Sequence, residues 1–385
     1  MNGKGRFLKT VAAMLIIAAT LFGEIASGTT GSLTWSISDD GTLTIGGAGD
    51  MLNYTYESAA PWHNFFYMIR KIEIGNSVTT IGSYAFSRCS GLTEVIIPSS
   101  VTAIGNGAFS NCSGLTSVII PNSVTSIGAF AFSNCSGLTS VEIPNSVTTI
   151  ESYAFYDCSG LTEVEIGNSV TTIGLGAFFL CYDLMAINVE GNNKNYSSID
   201  GVVFDKAKTT LFIYPYGKKG AYAISNSVTS IGSASGSPLK GISGLTAINI
   251  GESNNNYTSI DGVLFNKEKT TLIAYPAGKK GAYTIPNSVI SLDYEAFNGC
   301  SGLTEVEIPN SVTEIGRCTF FRCYGLTEVE IPNSVTTIKS YAFYGCSDLT
   351  SVVIGNSVTE IGWNAFGDCR EMKLPAASSG VSFQE

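Results

Sequence analysis

Histidine and charged residues are scarce in this sequence of 385 residues. The single histidine is His63, and charged residues make up 14% of the chain. One imidazole excludes zinc sites that need two histidine ligands, and it leaves one candidate for histidine-based catalysis. Because disordered chains are rich in charge, this composition predicts a folded protein. The formal net charge of −10 argues against a nucleic-acid partner.

Motifs for catalysis and metal binding are also missing from the sequence. The chain has no G-x-S-x-G, G-x-x-x-x-G-K-[ST] or H-E-x-x-H motif and no EF-hand spacing. His63 lies between aromatic residues in PWHNFF, a setting that favours packing or a turn. We therefore expect no enzymatic activity, no cofactor and no metal site. An enzyme that uses His63 is the minor alternative.

The N-terminus has the pattern of an export signal. Three basic residues precede the uncharged run VAAMLIIAATLF, which is shorter than the roughly 20 residues of a membrane-spanning helix. Ala26 and Gly28 are small residues suitably placed before a cut at Thr29. We predict a signal peptide over residues 1–28, a secreted or cell-surface protein, and no transmembrane segment in the mature chain. A buried helix of the mature fold is the alternative.

A 23-residue repeat dominates the rest of the chain. The segment SVTTIGSYAFSRCSGLTEVIIP, which begins at Ser77, recurs with one equivalent valine in each copy. In the first copy Leu92, Val95 and Ile97 have the spacing of a buried strand, and Pro98 ends that strand. Such a repeat predicts a solenoid, in which stacked coils bury each other's apolar side chains. The equivalent valines are Val78, Val101, Val124, Val147, Val170, Val228, Val289, Val312, Val335 and Val358.

The repeat also carries a family resemblance. Its consensus, CSGLTEVEIPNSVTTIGSYAF, resembles the BspA-like, or treponemal-class, leucine-rich repeat from about Lys71 to Cys369, and LTWSISDDGTLTIGGAGDM resembles the N-terminal cap of that family. The resemblance implies a β-rich solenoid, a right-handed coil of about ten units with a parallel sheet. We expect a β-rich cap over 29–70, the solenoid over 71–369 and a tail over 370–385.

The resemblance further implies a function in adhesion. BspA-like proteins are associated with attachment at cell surfaces, so the expected partner is a protein or glycoprotein ligand at a cell surface or in the surrounding matrix. A structural stalk or spacer that displays other modules is the alternative. Nothing in the residues identifies the ligand.

Two related insertions interrupt the repeat, over about 188–224 and 249–285. Asp200-Gly201 and Asp261-Gly262 separate β-rich runs, which predicts a β-hairpin in each insertion. Ten lysines and six acidic residues lie between Glu190 and Gly281, a net charge of +4, and the rest of the chain has a net charge of −14. The hairpin lysines are a candidate basic contact surface, or residues that such turns favour. They are Lys206, Lys208, Lys218, Lys219, Lys267, Lys269, Lys279 and Lys280.

The repeated strand has an outward face of threonines and acidic residues. Side chains between the core positions point outward, and in several copies both of them are glutamates. This face is a candidate binding surface for a protein partner. A solvated face whose charges prevent edge pairing is the alternative. The candidate residues are Glu163, Glu165, Glu305, Glu307, Glu328 and Glu330.

Nine of the ten cysteines occupy the same position of successive copies. Their side chains would stack in parallel about 5 Å apart, whereas a disulfide needs Cβ atoms about 3.8 Å apart that face each other. We therefore predict a ladder of buried free thiols, with a disulfide scaffold or a metal site as alternatives that this spacing disfavours. Cys318 is off the repeat, and we expect it to be exposed and a test case for reactivity. The ladder is Cys89, Cys112, Cys135, Cys158, Cys181, Cys300, Cys323, Cys346 and Cys369.

Overall fold

The described residues form a parallel β-solenoid with almost no helix. The computed structural model describes residues 23–55, 59–232, 238–370 and 382–383, so the apolar run of the predicted signal peptide and most of the predicted tail lie outside the described residues. Two compact units are present. Unit 1 comprises Met1–Tyr182 with Glu190–Lys194, and unit 2 comprises Asp183–Val189 with Asn195–Glu385. In the part of the chain described, no helix is both long and apolar enough to span a bilayer.

The described residues of unit 1 form short strands and the 3₁₀ helix His63–Phe65. Its strands are β1 (Glu24–Thr30), β2 (Leu33–Ser38), β3 (Thr42–Gly47), β4 (Gly49–Asp50), β5 (Lys71–Ile74), β6 (Val78–Ile81), β7 (Glu94–Ile96), β8 (Ala103–Ile104), β9 (Ser126–Ile127), β10 (Ser140–Ile143), β11 (Thr149–Ile150), β12 (Glu163–Ile166) and β13 (Thr172–Ile173).

An antiparallel sheet at the start of unit 1 continues into the coils. Strands β1, β2 and β3 pair antiparallel, after which β5 adds in parallel to β3 and β7 to β5. A second, parallel ladder runs through β6, β8, β9, β11 and β13. The copy at Leu115–Ile120 differs from the expectation, because no regular strand forms there although Val118 and Ile120 are buried.

Proline and serine shape the turn between the two ladders of a coil. The Val101 backbone N–H donates to Pro98 O at 3.1 Å, closing a turn that follows the strand. Proline has no N–H to donate, so it ends the strand ladder without leaving a donor unpaired. The Ser100 hydroxyl then donates to Val78 O of the preceding coil at 2.6 Å. These bonds explain why the repeat has Pro and Ser before its valine.

Identical side chains stack from coil to coil in the core of unit 1. The rings of Phe86, Phe109, Phe132 and Phe155 lie in a row with centroids 5.2 to 5.3 Å apart, and all four are fully buried. Burying one such ring is worth about 1.5–3 kcal/mol. The repeat valines of this unit are also fully buried. The predicted solenoid core is therefore confirmed.

Two tryptophans close the first coil of unit 1. Trp62 stacks on Phe86 at 5.7 Å, and its Nε1 donates to Ala85 O at 2.7 Å. Trp35 meets Trp62 edge-on at 6.1 Å and lies opposite Gly28 of β1. A Cβ at Gly28 would come within 2.9 Å of Trp35 Nε1, so only glycine fits there. Gly28 therefore packs in the folded chain, and a cut before Thr29 would remove most of β1.

Unit 2 has the same two ladders and contains the hairpin strands of both insertions. Its strands are β14 (Ala186–Val189), β15 (Tyr196–Ile199), β16 (Val202–Asp205), β17 (Thr210–Ile213), β18 (Gly220–Ile224), β19 (Ser230–Ile231), β20 (Leu245–Ile250), β21 (Tyr257–Ile260), β22 (Val263–Asn266), β23 (Thr271–Ala274), β24 (Gly281–Thr284), β25 (Ser291–Leu292), β26 (Leu303–Glu307), β27 (Glu314–Ile315), β28 (Glu328–Ile331), β29 (Thr337–Ile338), β30 (Ser351–Ile354), β31 (Glu360–Ile361) and β32 (Ser382–Phe383).

Each insertion is a hairpin built into a coil. Strands β15 and β16 pair antiparallel on either side of Asp200-Gly201, and β17 pairs antiparallel with β16 and parallel with β19. Strands β21, β22, β23 and β25 repeat this arrangement around Asp261-Gly262. Gly201 has a φ of 75°, and a Cβ there would lie 2.6 Å from the Cα of Ala186. Glycine is thus required both by the turn and by the close approach of the two segments.

The irregular coil that follows Val228 contributes a buried lysine to an ion pair with the next coil. This coil lacks the Ala-Phe and the cysteine of the other copies. The Lys240 side chain is only 4% exposed, and its Nζ lies 2.9 Å from Asp293 Oδ2. Lys240 Nζ also donates to the backbone oxygen of Tyr294. Asp293 stands where most copies have glycine, so both partners are departures from the repeat.

Candidate recognition surfaces

The strand face of unit 2 carries four exposed glutamates, Glu305, Glu307, Glu328 and Glu330, here called the acidic array. Strands β26 and β28 pair in parallel, which places Glu305 beside Glu328 and Glu307 beside Glu330. Neighbouring strands lie about 4.8 Å apart, and alternate residues of one strand lie about 6.6 Å apart. The sequence candidates are therefore brought together as a two-by-two group of carboxylates.

No ion pair within the described residues neutralises the acidic array. Glu307 accepts a hydrogen bond from the hydroxyl of Thr284 at 3.0 Å. Like charges that lie side by side on adjacent strands destabilise a sheet. The array therefore costs stability, and its exposed carboxylates are suited to a positively charged partner.

The strand face of unit 1 carries a smaller acidic surface. Glu163 and Glu165 are exposed on β12, and Glu165 lies beside Glu142 of β10. Near the start of the unit, Lys71 offsets the charge, because its Nζ lies 2.9 Å from Glu73 and 3.7 Å from Glu94. Unit 2 has no such pair in the acidic array.

Threonines beside the glutamates hold the coils together. The Thr162 hydroxyl donates to Thr139 O at 3.0 Å, and the Thr350 hydroxyl donates to Thr327 O at 3.2 Å. Each bond spans 23 residues, so these threonines reach the backbone of the preceding coil. These hydroxyl hydrogens are used in stacking, which leaves the glutamates as the more available groups of the strand face.

The eight candidate lysines do not form one basic patch. Lys218 Nζ donates to Asp200 O at 2.7 Å and Lys279 Nζ to Asp261 O at 2.8 Å, so these two fasten the Asp-Gly turns. Lys267 Nζ donates to the backbone oxygen of Glu252 at 3.0 Å. The exposed members are Lys206, Lys208, Lys219, Lys269 and Lys280.

The lysines of each insertion lie at two ends of its hairpin. Lys206 and Lys208 follow the C-terminal end of β16, whereas Lys218 lies against the Asp200 turn at the other end. A four-residue strand separates the two ends by about 13 Å. Each hairpin therefore presents two small basic groups.

The cysteine ladder makes a repeated hydrogen bond. Cys135 Sγ donates to Phe109 O at 3.2 Å, and Cys158 Sγ donates to Phe132 O at 3.0 Å. The acceptor lies 26 residues earlier, in the preceding coil, and Cys369 repeats the contact with Phe343 O. Burial raises the pKa of Cys135 to about 12. The described thiols are free and buried apart from Cys369, which is half-buried.

The expected exposure of Cys318 is wrong. Its side chain is buried, with 7% exposure. Cys318 occupies the repeat position of Tyr84 and shares its left-handed backbone, with a φ of 56°, but its short side chain lies beside Tyr294 and Arg317. Burial raises the pKa of the Cys318 thiol, which lowers its reactivity as a nucleophile.

His63 lies in the 3₁₀ helix before the first coil. Its ring stacks on Phe66 at 5.5 Å, and both rings are partly exposed. The described residues contain no group of three or more His, Cys, Asp or Glu side chains placed to hold a metal ion.

A surface that the sequence reasoning missed lies on the turns of unit 2. Tyr341 lies in the left-handed region with a φ of 60°, and its side chain is partly exposed whereas the following Ala342 and Phe343 are buried. Six side chains on this turn and the neighbouring turns contact one another, and they are here called the turn face. They are Arg317, Phe321, Arg322, Tyr341, Tyr344 and Trp363.

Comparisons with known proteins agree with this geometry. The model of the BspA type leucine rich repeat region matches six copies, over residues 63–185, 104–219 and 279–383. A leucine-rich repeat protein from Eubacterium ventriosum is 27% identical with a TM-score of 0.67, over 93% of this chain and 92% of that chain. A leucine rich cell surface protein from Faecalibacterium prausnitzii is 26% identical with a TM-score of 0.52, over 94% and 95%. No curated protein sequence matches the chain significantly.

The stacked coils and their repeated strand face define a leucine-rich repeat protein of the solenoid class. The family match covers more than half of the chain, and the similar solved structures span nearly all of it. The chain belongs to the BspA type leucine-rich repeat family.

Proposed function

We propose that this chain is an exported, non-catalytic recognition protein that binds a protein or glycoprotein at a cell surface or in the surrounding matrix. The observation that carries the proposal is the acidic array, four exposed carboxylates on adjacent strands without an ion-pair partner among the described residues. A solenoid offers a rigid surface of equivalent contacts, which suits a macromolecular partner. One similar structure is described as a cell surface protein.

The array favours a partner with a basic surface. Its four carboxylates keep their charge exposed, so a partner's lysine or arginine side chains would relieve the repulsion between neighbouring strands. Valines lie between the glutamates on each strand but are buried, so the contact is mainly electrostatic. Such contacts raise the rate of association and the specificity more than the affinity.

Binding of the secreted chain to matrix proteins and to neighbouring cells tests the proposal. In one variant Glu305, Glu307, Glu328 and Glu330 are changed to glutamine. In the matched control Glu252, Glu268, Glu314 and Glu360, which lie off the strand face, are changed in the same way. We expect the first variant to lose about tenfold or more in affinity and the control to bind like the unmodified chain.

The structural-stalk alternative predicts a different result. A spacer that only displays other modules would bind equally well with or without the acidic array. Equal binding by both glutamine variants, or no binding to any protein or cell in the panel, would therefore refute the recognition proposal.

A further inference from the structure

The turn face of unit 2 is a contiguous network of aromatic and arginine side chains. Arg317 lies over the Tyr341 ring at 5.9 Å, and Trp363 meets the same ring edge-on at 4.9 Å. Tyr341 contacts Tyr344, which stacks on Phe321 at 5.4 Å. The side chains come from three neighbouring coils, so the network is held by the stacking of the solenoid.

Backbone bonds between coils fix the position of this network. The Tyr341 N–H donates to Trp363 O at 3.1 Å, and the Arg322 N–H donates to Tyr344 O at 2.7 Å. Tyr341 and Arg322 both have left-handed backbones, which turn their side chains away from the core. Aromatic side chains held this way lose little conformational entropy when a partner binds.

The two arginines of the turn face are available to carboxylates. Both are exposed, and neither is in an ion pair within the described residues. Arg322 lies 5.1 Å from the Phe321 ring, a contact that orients the guanidinium without neutralising it. Two carboxylates border the face. Asp368 lies beside the Tyr344 hydroxyl and raises the pKa of that phenol, and Glu295 lies beside Tyr294.

The composition of the turn face is that of an interface centre. Tyrosine, tryptophan and arginine are enriched in the few residues that supply most of the energy of protein–protein binding. Trp363 is 47% exposed, an unusual setting for so large an apolar side chain in a chain whose other two tryptophans are buried. A guanidinium beside an aromatic ring fits a carboxylate that is next to an apolar side chain.

We propose that the turn face is a second recognition surface, which binds an acidic segment of a partner protein. Arg317 and Arg322 pair with its carboxylates, and an apolar or aromatic side chain of the segment packs against Tyr341 and Trp363. This surface is separate from the acidic array and takes a partner of the opposite charge. A negative result for one of the two surfaces therefore does not contradict the proposal for the other.

Trp363 supplies a direct signal for the test. Because Trp35 and Trp62 are buried, iodide quenches mainly the fluorescence of Trp363 in the full chain. The probes are a random Glu-Tyr copolymer, poly-L-lysine and alginate, a polymer of uronic acids. We expect the Glu-Tyr copolymer to protect Trp363 from iodide and poly-L-lysine and alginate to leave it accessible.

Substitutions then assign the binding to the arginines. The double change Arg317→Gln and Arg322→Gln should weaken binding of the Glu-Tyr copolymer about tenfold or more, because both charge-assisted contacts are lost. Arg→Lys at both positions should give an intermediate loss, since charge is kept and planar stacking is not. Tyr153→Ser, which changes an outward aromatic of unit 1 that stacks on Phe130, is the matched control and should bind normally.

Three results would overturn the proposal. One is the absence of any protection of Trp363 by the Glu-Tyr copolymer. Another is unchanged binding by the double glutamine variant when its circular dichroism spectrum matches that of the unmodified chain. The third is protection by alginate in preference to the copolymer, which would assign the face to an acidic glycan. Loss of poly-L-lysine binding at the acidic array has no bearing on any of these results.

Discussion

A buried backbone oxygen explains why cysteine recurs at one position of the repeat. From Cys112 onward the thiol of a rung donates to a backbone carbonyl of the preceding coil, as Cys135 does to Phe109 O, and Cys300 uses Tyr275 O in place of a phenylalanine carbonyl. Phe109 O also accepts the Cys112 N–H at 3.2 Å, so alanine at Cys135 would remove one of its two donors. Serine would bring a more strongly hydrated hydroxyl into an apolar site. The thiol fills the space as a small apolar group and still satisfies the acceptor.

The thiol ladder should make stability fall in alkaline solution. Burial raises the pKa of Cys89, Cys135 and Cys181 from about 9 to about 12 in the folded chain. Below pH 9 these thiols are protonated in both states, so they do not alter stability. Between pH 9 and 12 only the unfolded chain loses their protons, and each thiol then lowers the free energy of unfolding by up to about 1.4 kcal/mol per pH unit.

Unfolding by denaturant at pH 7, 9, 10 and 11 measures this effect. Cys135→Ala removes one titrating group, so its stability should decline less steeply above pH 9. At pH 7 the same variant should be about 1–2 kcal/mol less stable, because a small cavity remains and Phe109 O loses one of its two donors. A decline of equal steepness in the variant and the unmodified chain would show that Cys135 does not titrate differently in the two states.

Among single residues, the core positions could be predicted from the sequence, but the direction of the side chains on the turns could not. Core positions such as Phe86 and Cys89 could be predicted, because they recur with the period of the coil. The outward direction of Tyr341 and Arg322 could not be predicted. It depends on left-handed backbone conformations, which L-residues rarely adopt unless the surrounding structure fixes the turn. The expected exposure of Cys318 followed from its sharing the repeat position of Tyr84, and it was wrong because the short cysteine side chain is buried beside Tyr294 and Arg317.

At the scale of single elements, the coil after Val228 lacks the buried Ala-Phe and cysteine of the other copies, and its Lys240 forms an ion pair. Lys240 crosses to Asp293 of a different coil, and the Lys240 side chain is almost fully buried whereas that of Asp293 is 46% exposed. Removing one partner of a buried pair leaves a charge without compensation. Here the remaining carboxylate would reach water, so the loss should be smaller than for a fully buried pair.

Lys240→Ala should therefore lower the free energy of unfolding by about 1.5–3 kcal/mol, the usual value of a hydrogen bond to a charged group. The matched control is Lys339→Ala, because Lys339 Nζ lies 3.5 Å from Glu314 in an exposed pair. That change should cost less than about 1 kcal/mol. Thermal and denaturant unfolding of the two variants provide the comparison, and equal losses would contradict a special role for Lys240.

Elements with local turn signals were predictable, and elements set by packing were not. Asp200-Gly201 identified the turn between β15 and β16 because the dipeptide itself favours it. The role of β1 was not evident, since its residues Glu24 to Gly28 have no repeat pattern and also suit an export signal. Only the ring of Trp35 against Gly28 shows why that glycine fits the folded chain.

For the molecule as a whole, the attraction of basic partners depends on where the charged residues lie as well as on the net charge. The formal net charge of −10 predicts that any basic polymer is attracted to the chain at low salt. The acidic array adds a local contribution, because its four glutamates lie on adjacent strands about 4.8 Å apart, at alternate positions about 6.6 Å apart. The effect of the net charge on binding can be distinguished from that of the acidic array, because changing either of two sets of four glutamates to glutamine alters the net charge equally.

Both glutamine variants described above raise the formal net charge from −10 to −6. Affinity for poly-L-lysine should fall steeply for the unmodified chain between about 0.1 M and 1 M salt, as the screening length shortens from about 10 Å to about 3 Å. The variant without the acidic array should bind more weakly at 0.1 M and vary less with salt, whereas the control variant should follow the unmodified chain. Titration calorimetry at several salt concentrations provides these slopes. If the two variants have equal slopes, the attraction follows net charge alone, and the array has no special part in it.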